Sequence, residues 1–253
     1  MMKRTFFWAV LTACALPALA AAPEYREAKY DNGQPRYQGY FQDGKPVGEL
    51  KRYHENGRLS CLQRFDGAGG STVEVYAGDG TLVARGAYRG TRREGLWQYY
   101  SAQGEVFLTE VFENGRRQGE SLKFGPEKQV MERMYYKNDE LDGVRIQYYS
   151  YGNKMAEYHY KAGKLDGPYM SWLDSGDKEE EGAYKEGKKE GVWHYYEYGG
   201  PTVTVEYKDG KALNQAELDE EMQRKLDSYD TNPNLPDPET FEGSPEEFFQ
   251  LNP

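Results

Sequence analysis

Glycine and aromatic positions recur along this chain with a period of 24 residues. Gly95, Gly119, Gly143, Gly167 and Gly191 form one column. Tyr76, Tyr100, Phe124, Tyr148, Trp172 and Tyr196 form a second. Tyr88, Phe112, Tyr136, Tyr160, Tyr184 and, one residue short, Tyr207 form a third. Gly80, Gly104, Gly152, Gly176 and Gly200 add a partial fourth that Lys128 interrupts. Self-similarity at one period marks a stack of like supersecondary units. Earlier copies slip by a residue, as at Gly48, Tyr53 and Gly57, and the stretch from Asp66 to Ser71 loses the signature. About seven units fit between Phe41 and Tyr207.

Within a unit, short alternating runs such as GLWQYY at 95–100 and PTVTVEY at 201–207 are separated by Gly-rich turns. Runs of that kind read as strands joined in hairpins. The expectation is an all-β fold: an elongated, single, twisted antiparallel β-meander of about seven 24-residue hairpin repeats and some fifteen strands. Counted from the first Gly column, positions +1, +3 and +5 hold Val144, Ile146, Tyr148, Pro168, Met170, Trp172, Leu122 and Phe124. Being mostly apolar, they are expected to form the packed face. Positions +2 and +4 hold Trp97, Tyr99, Ser121, Lys123, Arg145, Gln147, Tyr169, Ser171, Trp193 and Tyr195, and vary from unit to unit. Aromatic residues are enriched at binding hot spots, so Trp97, Tyr99, Tyr169, Trp193 and Tyr195 are the candidate partner-binding residues.

The repeat ends at Gly210. Asn214 with Glu217 resembles a capping box, and Gln215 to about Ser228 reads as a helix with Leu218, Met222 and Leu226 on one face. The predicted organisation is a signal peptide over 1–20, the repeat domain over 21–211, a capping helix over 212–230 and an acidic, Pro-rich tail over 231–253. Composition agrees with sheet rather than disorder: only 38% of residues are hydrophobic, but 15% are aromatic, with 23 Tyr and 29 Gly.

Lys3 and Arg4, an apolar run from Thr5 to Leu16 and the small residues Ala18-Leu19-Ala20 have the layout of a signal peptide, which places the protein in the periplasm. A rival reading takes Leu11-Thr12-Ala13-Cys14 as a lipoprotein box with an acylated Cys14. Simple cleavage leaves Cys61 alone and no internal disulfide, so Cys61 is expected to be a small buried apolar residue. The net charge of −10 becomes −12 without Lys3 and Arg4, and residues 212–253 carry −9 of it. Such a chain has no electrostatic footprint for nucleic acid, and membrane contact is expected only with Cys14 acylated.

No catalytic, metal or cofactor motif stands out, and no enzyme activity is expected. His54, His159 and His194 fall in different columns and have no paired metal spacing. The run Glu179-Glu180-Glu181 reads as a solvated charged stretch.

The units YKAGKLDGPYMSWLDSG and YKEGKKEGVWHYYEYGG closely resemble the bacterial MORN-repeat variant of YwqK-like antitoxin proteins. The resemblance covers nearly all of residues 30–210. It implies a β-hairpin array used for protein–protein contact, with many members resembling immunity partners of secreted toxins. The implied role is a periplasmic immunity protein that occludes the active site of a toxin, such as a type VI lipase effector. The alternative is a structural envelope scaffold, lipid-anchored through Cys14, that organises other proteins.

Overall fold

A computed structural model describes residues 21–197 and 202–230. The predicted signal segment and acidic tail, including Cys14, lie outside the described residues. The chain divides into two compact units, residues 1–128 and 129–253. Unit 1 holds β1 (Glu24–Lys29), β2 (Pro35–Gln42), β3 (Lys45–Tyr53), β4 (Leu59–Phe65), β5 (Gly70–Tyr76), β6 (Leu82–Arg89), β7 (Arg92–Tyr100), β8 (Val106–Glu113) and β9 (Arg116–Phe124). Unit 2 holds β10 (Val130–Lys137), β11 (Glu140–Leu141), β12 (Gly143–Tyr148), β13 (Lys154–Lys161), β14 (Lys164–Trp172), β15 (Lys178–Lys185), β16 (Lys188–Tyr196), β17 (Thr202–Lys208), β18 (Lys211–Ala212) and helix α1 (Gln215–Asp230). Within each unit consecutive strands pair antiparallel, so the all-β hairpin meander expected from the 24-residue period is what forms.

Two turn geometries alternate. The first is a two-residue turn with positive φ at both positions, as at Asn114-Gly115 (53° and 87°), Ala162-Gly163 (48° and 78°) and Glu186-Gly187 (48° and 88°). This is the type I′ geometry that matches the twist of the flanking strands. The second closes with an i to i+3 bond and a left-handed fourth residue: Gly104 N–H donates to Ser101 O, and Gly176 N–H to Leu173 O. Lys128, the outlier of that glycine column, adopts the same backbone with φ +63° and donates to Gly125 O.

The first glycine column is not at a turn. Gly95, Gly119, Gly167 and Gly191 lie inside β7, β9, β14 and β16, each with positive φ. Each sits where the register slips. Arg85 faces Gln98 while Ala87 faces Glu94, so one residue on β6 opposes three on β7. Glu181 faces His194 while Ala183 faces Glu190, which repeats the slip. The column is therefore a row of bulges.

The acidic residue before several of these glycines clamps the next turn. Glu94 accepts from the Asn114 amide (3.0 Å), Asp142 from Ala162 (3.1 Å), Asp166 from Glu186 (3.2 Å) and Glu190 from Asp209 (2.9 Å). The second turn residue then donates to a backbone carbonyl of the earlier strand, as Gly187 does to Leu165 (2.7 Å). Both inward donors of each such turn are thus satisfied by the preceding repeat.

The packed face is the reverse of the one expected. Trp97 is 2% exposed and Trp193 fully buried, whereas their +1 neighbours Leu96 and Val192 are 54% and 50% exposed. Val73, Ala84 and Phe112 join Trp97 in unit 1, and Ala156, Ser171 and Val205 are buried in unit 2. Of the residues expected to pack, Pro168 is exposed and Val144, Ile146, Tyr148, Met170, Trp172, Leu122 and Phe124 are half-buried. In a one-layer sheet, which face packs depends on side chains that can lie across a neighbouring strand, not on a count of apolar residues per face. Gly86 and Gly182 leave bare backbone beneath the two indoles, and a Cβ on either would stand 2.3 Å from the ring. Leu50 lies over Gly39 in the same way, at 2.9 Å. Cys61 is half-buried against the unit 1 core, and burial pushes its thiol up.

Helix α1 forms as expected, though not with the capping box. Asn214 Nδ2 donates to Thr204 O (3.4 Å) on β17, and its Oδ1 has no partner. Leu213 N–H donates to Glu206 O (2.7 Å), so residues 211–214 cover part of the β17 edge. The side chains of Leu218, Met222 and Leu226 lie outside the described residues.

Candidate functional site

Residues 86–100, GAYRGTRREGLWQYY, and 182–196, GAYKEGKKEGVWHYY, build matching boxes, one in each unit. Trp97 Nε1 donates to Ala87 O and Trp193 Nε1 to Ala183 O, both at 3.1 Å. Tyr88 and Tyr184 meet the indoles edge-on at 5.2 and 5.0 Å between centroids, and Phe112 and Tyr207 do so at 6.1 Å. A cation lies over each indole: Arg93 Cζ at 4.5 Å from Trp97, Lys189 Nζ at 3.9 Å from Trp193. Each donates to the next tyrosine, Arg93 to Tyr99 Oη (3.1 Å) and Lys189 to Tyr195 Oη (2.8 Å).

Around the unit 2 box this face broadens into a row of rings. Tyr158 and Tyr169 lie 5.2 Å apart, Tyr169 stacks on Trp193 at 5.3 Å and 26°, and Trp193 approaches Tyr195 at 6.3 Å. Tyr195 and Tyr207 share a hydroxyl hydrogen bond of 3.0 Å. At the β12 end, Arg145 lies over Tyr158 at 5.4 Å and pairs with Glu132 through Nε at 2.6 Å. The tyrosine rings are half-buried.

Burial raises these hydroxyls' pKa values. Tyr184 is pushed up to about 12, first by burial and then by neighbouring Tyr169 and Glu180. Tyr99 is also pushed up to about 12, by burial and then by its hydrogen bond to Glu110. Tyr158, Tyr169 and Tyr195 move upward, again chiefly by burial. These phenols therefore stay protonated well above neutral pH.

Of the five candidate partner-binding residues, Tyr169, Trp193 and Tyr195 come together in unit 2, and Trp97 and Tyr99 together in unit 1. Trp97 and Trp193 are enclosed, so they support this face rather than offer a surface of their own. Tyr99, Tyr169 and Tyr195 are half-buried on it. Sequence reading missed Tyr158, Tyr184 and Tyr207 as members, though the last two stand in the third aromatic column. The three histidines bond separately, His54 to Tyr76 O, His159 to Pro168 O and His194 to Thr204 Oγ1. Among the described residues no group of three His, Cys, Asp or Glu side chains is arranged to hold a metal ion.

The structure divides the run Glu179-Glu180-Glu181 between the two faces. Glu181 pairs with Lys178 (2.7 Å) and accepts from Tyr196 (2.5 Å) on the face away from the indole. Glu179 accepts from buried Ser171 Oγ (3.1 Å), and Glu180 lies cross-strand between Ser171 and Tyr195, on the tyrosine face.

No protein-family model matches the chain, and no curated protein was found similar to it.

Proposed function

We propose that this chain is a protein-binding repeat protein that engages its partner through the tyrosine face of unit 2. The observation that carries this reading is the stack of Tyr169 on Trp193, flanked by Tyr158 and Tyr195, with all three tyrosines half-buried. Half-buried tyrosines on a rigid sheet supply contact area at little entropy cost, as paratopes do. The partner we infer is a secreted toxin, such as a type VI lipase effector, met in the periplasm. The chain would act as its immunity protein by covering the active site. The export signal read at residues 1–20 and the likeness to YwqK-like antitoxin repeats support this partner. The acidic tail would speed association with a basic surface more than it adds affinity.

The test is to express candidate toxins from the genomic neighbourhood in the periplasm, with and without this protein. Protection from killing, together with a complex that purifies intact, is the expected result. Unchanged killing and no complex would refute the immunity role. The Leu11-Thr12-Ala13-Cys14 box favours the lipid-anchored scaffold as a second reading, and mass spectrometry of the mature N-terminus separates acylated Cys14 from a free residue near Ala21.

A further inference from the structure

Among the described residues Glu180 has no cation of its own. It is half-buried on the tyrosine face of unit 2, opposite Ser171 on β14 and Tyr195 on β16. Two residues along the strand is Gly182, where Tyr169 and Trp193 meet as stacked rings. Among the described residues no lysine, arginine or histidine lies within ion-pair distance of Glu180 or of Glu179. The other carboxylates of the two aromatic faces are spoken for: Glu132 by Arg145 in unit 2, Glu110 by Tyr99 and Arg117 in unit 1.

The scaffold does not require acids at these positions. The matching residues in unit 1, 96 places earlier, are Val83 and Ala84, and Ala84 is buried in the core. Unit 2 thus departs from its own repeat by setting two carboxylates beside an aromatic stack. A half-buried carboxylate without a partner is costly and like charges side by side add to it, whereas an incoming cation relieves both. A planar guanidinium suits the place best, because it can stack on a tyrosine ring while donating to a carboxylate in a fork.

We propose that the tyrosine face of unit 2 recognises an arginine of a protein partner, seated against Tyr169 with Glu180 as its counter-ion, beside the Lys189 that already lies over Trp193 and Tyr195. This rests on the reading that the chain binds a protein. The ring row supplies the contact area, and the Glu180 carboxylate supplies the selectivity for charge.

The site can be probed without knowing the partner. The full chain, labelled with 15N, is titrated with the capped tripeptide Gly-Arg-Gly and with its citrulline counterpart, which keeps the shape and loses the charge. The Arg peptide should shift the Trp193 Nε1–H and Tyr195 amide signals, and the citrulline peptide should bind about fivefold to tenfold more weakly, the size of one partly exposed charge-assisted hydrogen bond. Glu180→Gln should bring the Arg peptide down to the citrulline level, while Glu181→Gln on the opposite face leaves it unchanged. Superimposable spectra of the variants away from the site confirm folding. Equal binding of the two peptides, no binding of either, or indifference to Glu180→Gln would overturn the proposal. A toxin complex that forms without such discrimination would leave the binding role standing and remove the arginine. Discrimination without any toxin complex would keep the arginine site and remove the toxin as the partner.

Discussion

The indole of Trp193 lies on the bare backbone of Gly182, eleven residues earlier in the chain, and Trp97 lies on Gly86 in the same way. Each glycine gives up a side chain so that the ring can cross the strand and be enclosed. Adding a methyl group at Gly182 or Gly86 should force the indole off its partner and destabilise the protein by about 1–3 kcal/mol. Chemical denaturation of Gly182→Ala and Gly86→Ala measures this. A neutral effect at both would show that the rings do not stabilise the sheet.

The clamping carboxylates explain an acidic residue that the periodicity alone did not. Asp142→Ala should leave the Ala162 amide without its acceptor and cost about 0.5–1.5 kcal/mol, with Asp142→Asn recovering most of it. Hydrogen exchange at the Ala162 amide reports the same bond directly, and should rise in the Ala variant alone.

Lys128, Ala162 and Glu186 adopt a left-handed backbone that costs side-chain-bearing L-residues about 1 kcal/mol. Lys128→Gly and Ala162→Asn should each therefore raise stability, by about 0.5–1 kcal/mol, as read from thermal or urea unfolding. A loss of stability at both would mean that these turns differ from the geometry described.

Tyr99 and Tyr184 hold their protons up to about pH 12, whereas the unfolded chain releases them near 10. The folded state therefore binds the proton more tightly. Its advantage is complete below pH 10 and is lost as pH rises through about 12. Tyrosinate absorbance should show a late-ionising class that shrinks in Tyr99→Phe and Tyr184→Phe, with alkaline unfolding beginning above pH 10. Ionisation of all tyrosines together near 10 would contradict this.

Much of this fold was legible in the sequence, because a two-residue turn and a bulge each restrict the residue at a fixed place in every copy. Gly95 and Gly191 stood out for that reason, and the third aromatic column because its rings meet the indoles. The packed face was misread because alternation shows that two faces exist, while which one packs depends on pairs across strands. The deciding signal was Gly39, Gly86 and Gly182, each eleven residues ahead of Leu50, Trp97 and Trp193. The site was half legible: Tyr169 and Tyr195 could be named from their column positions. The division of Glu179, Glu180 and Glu181 between faces needed the bulge near Trp172, where the register shifts and strict alternation fails.

The claim that the tyrosine face of unit 2 is the binding surface is tested most directly by calorimetry. A toxin that the protection assay identifies is titrated into the intact protein, into Tyr169→Ala and into Phe107→Ala, the last an exposed apolar residue of unit 1. Tyr169→Ala should weaken binding by at least 2 kcal/mol, about thirtyfold, as a hot-spot residue does, with Phe107→Ala unchanged. Full affinity in Tyr169→Ala would contradict the account.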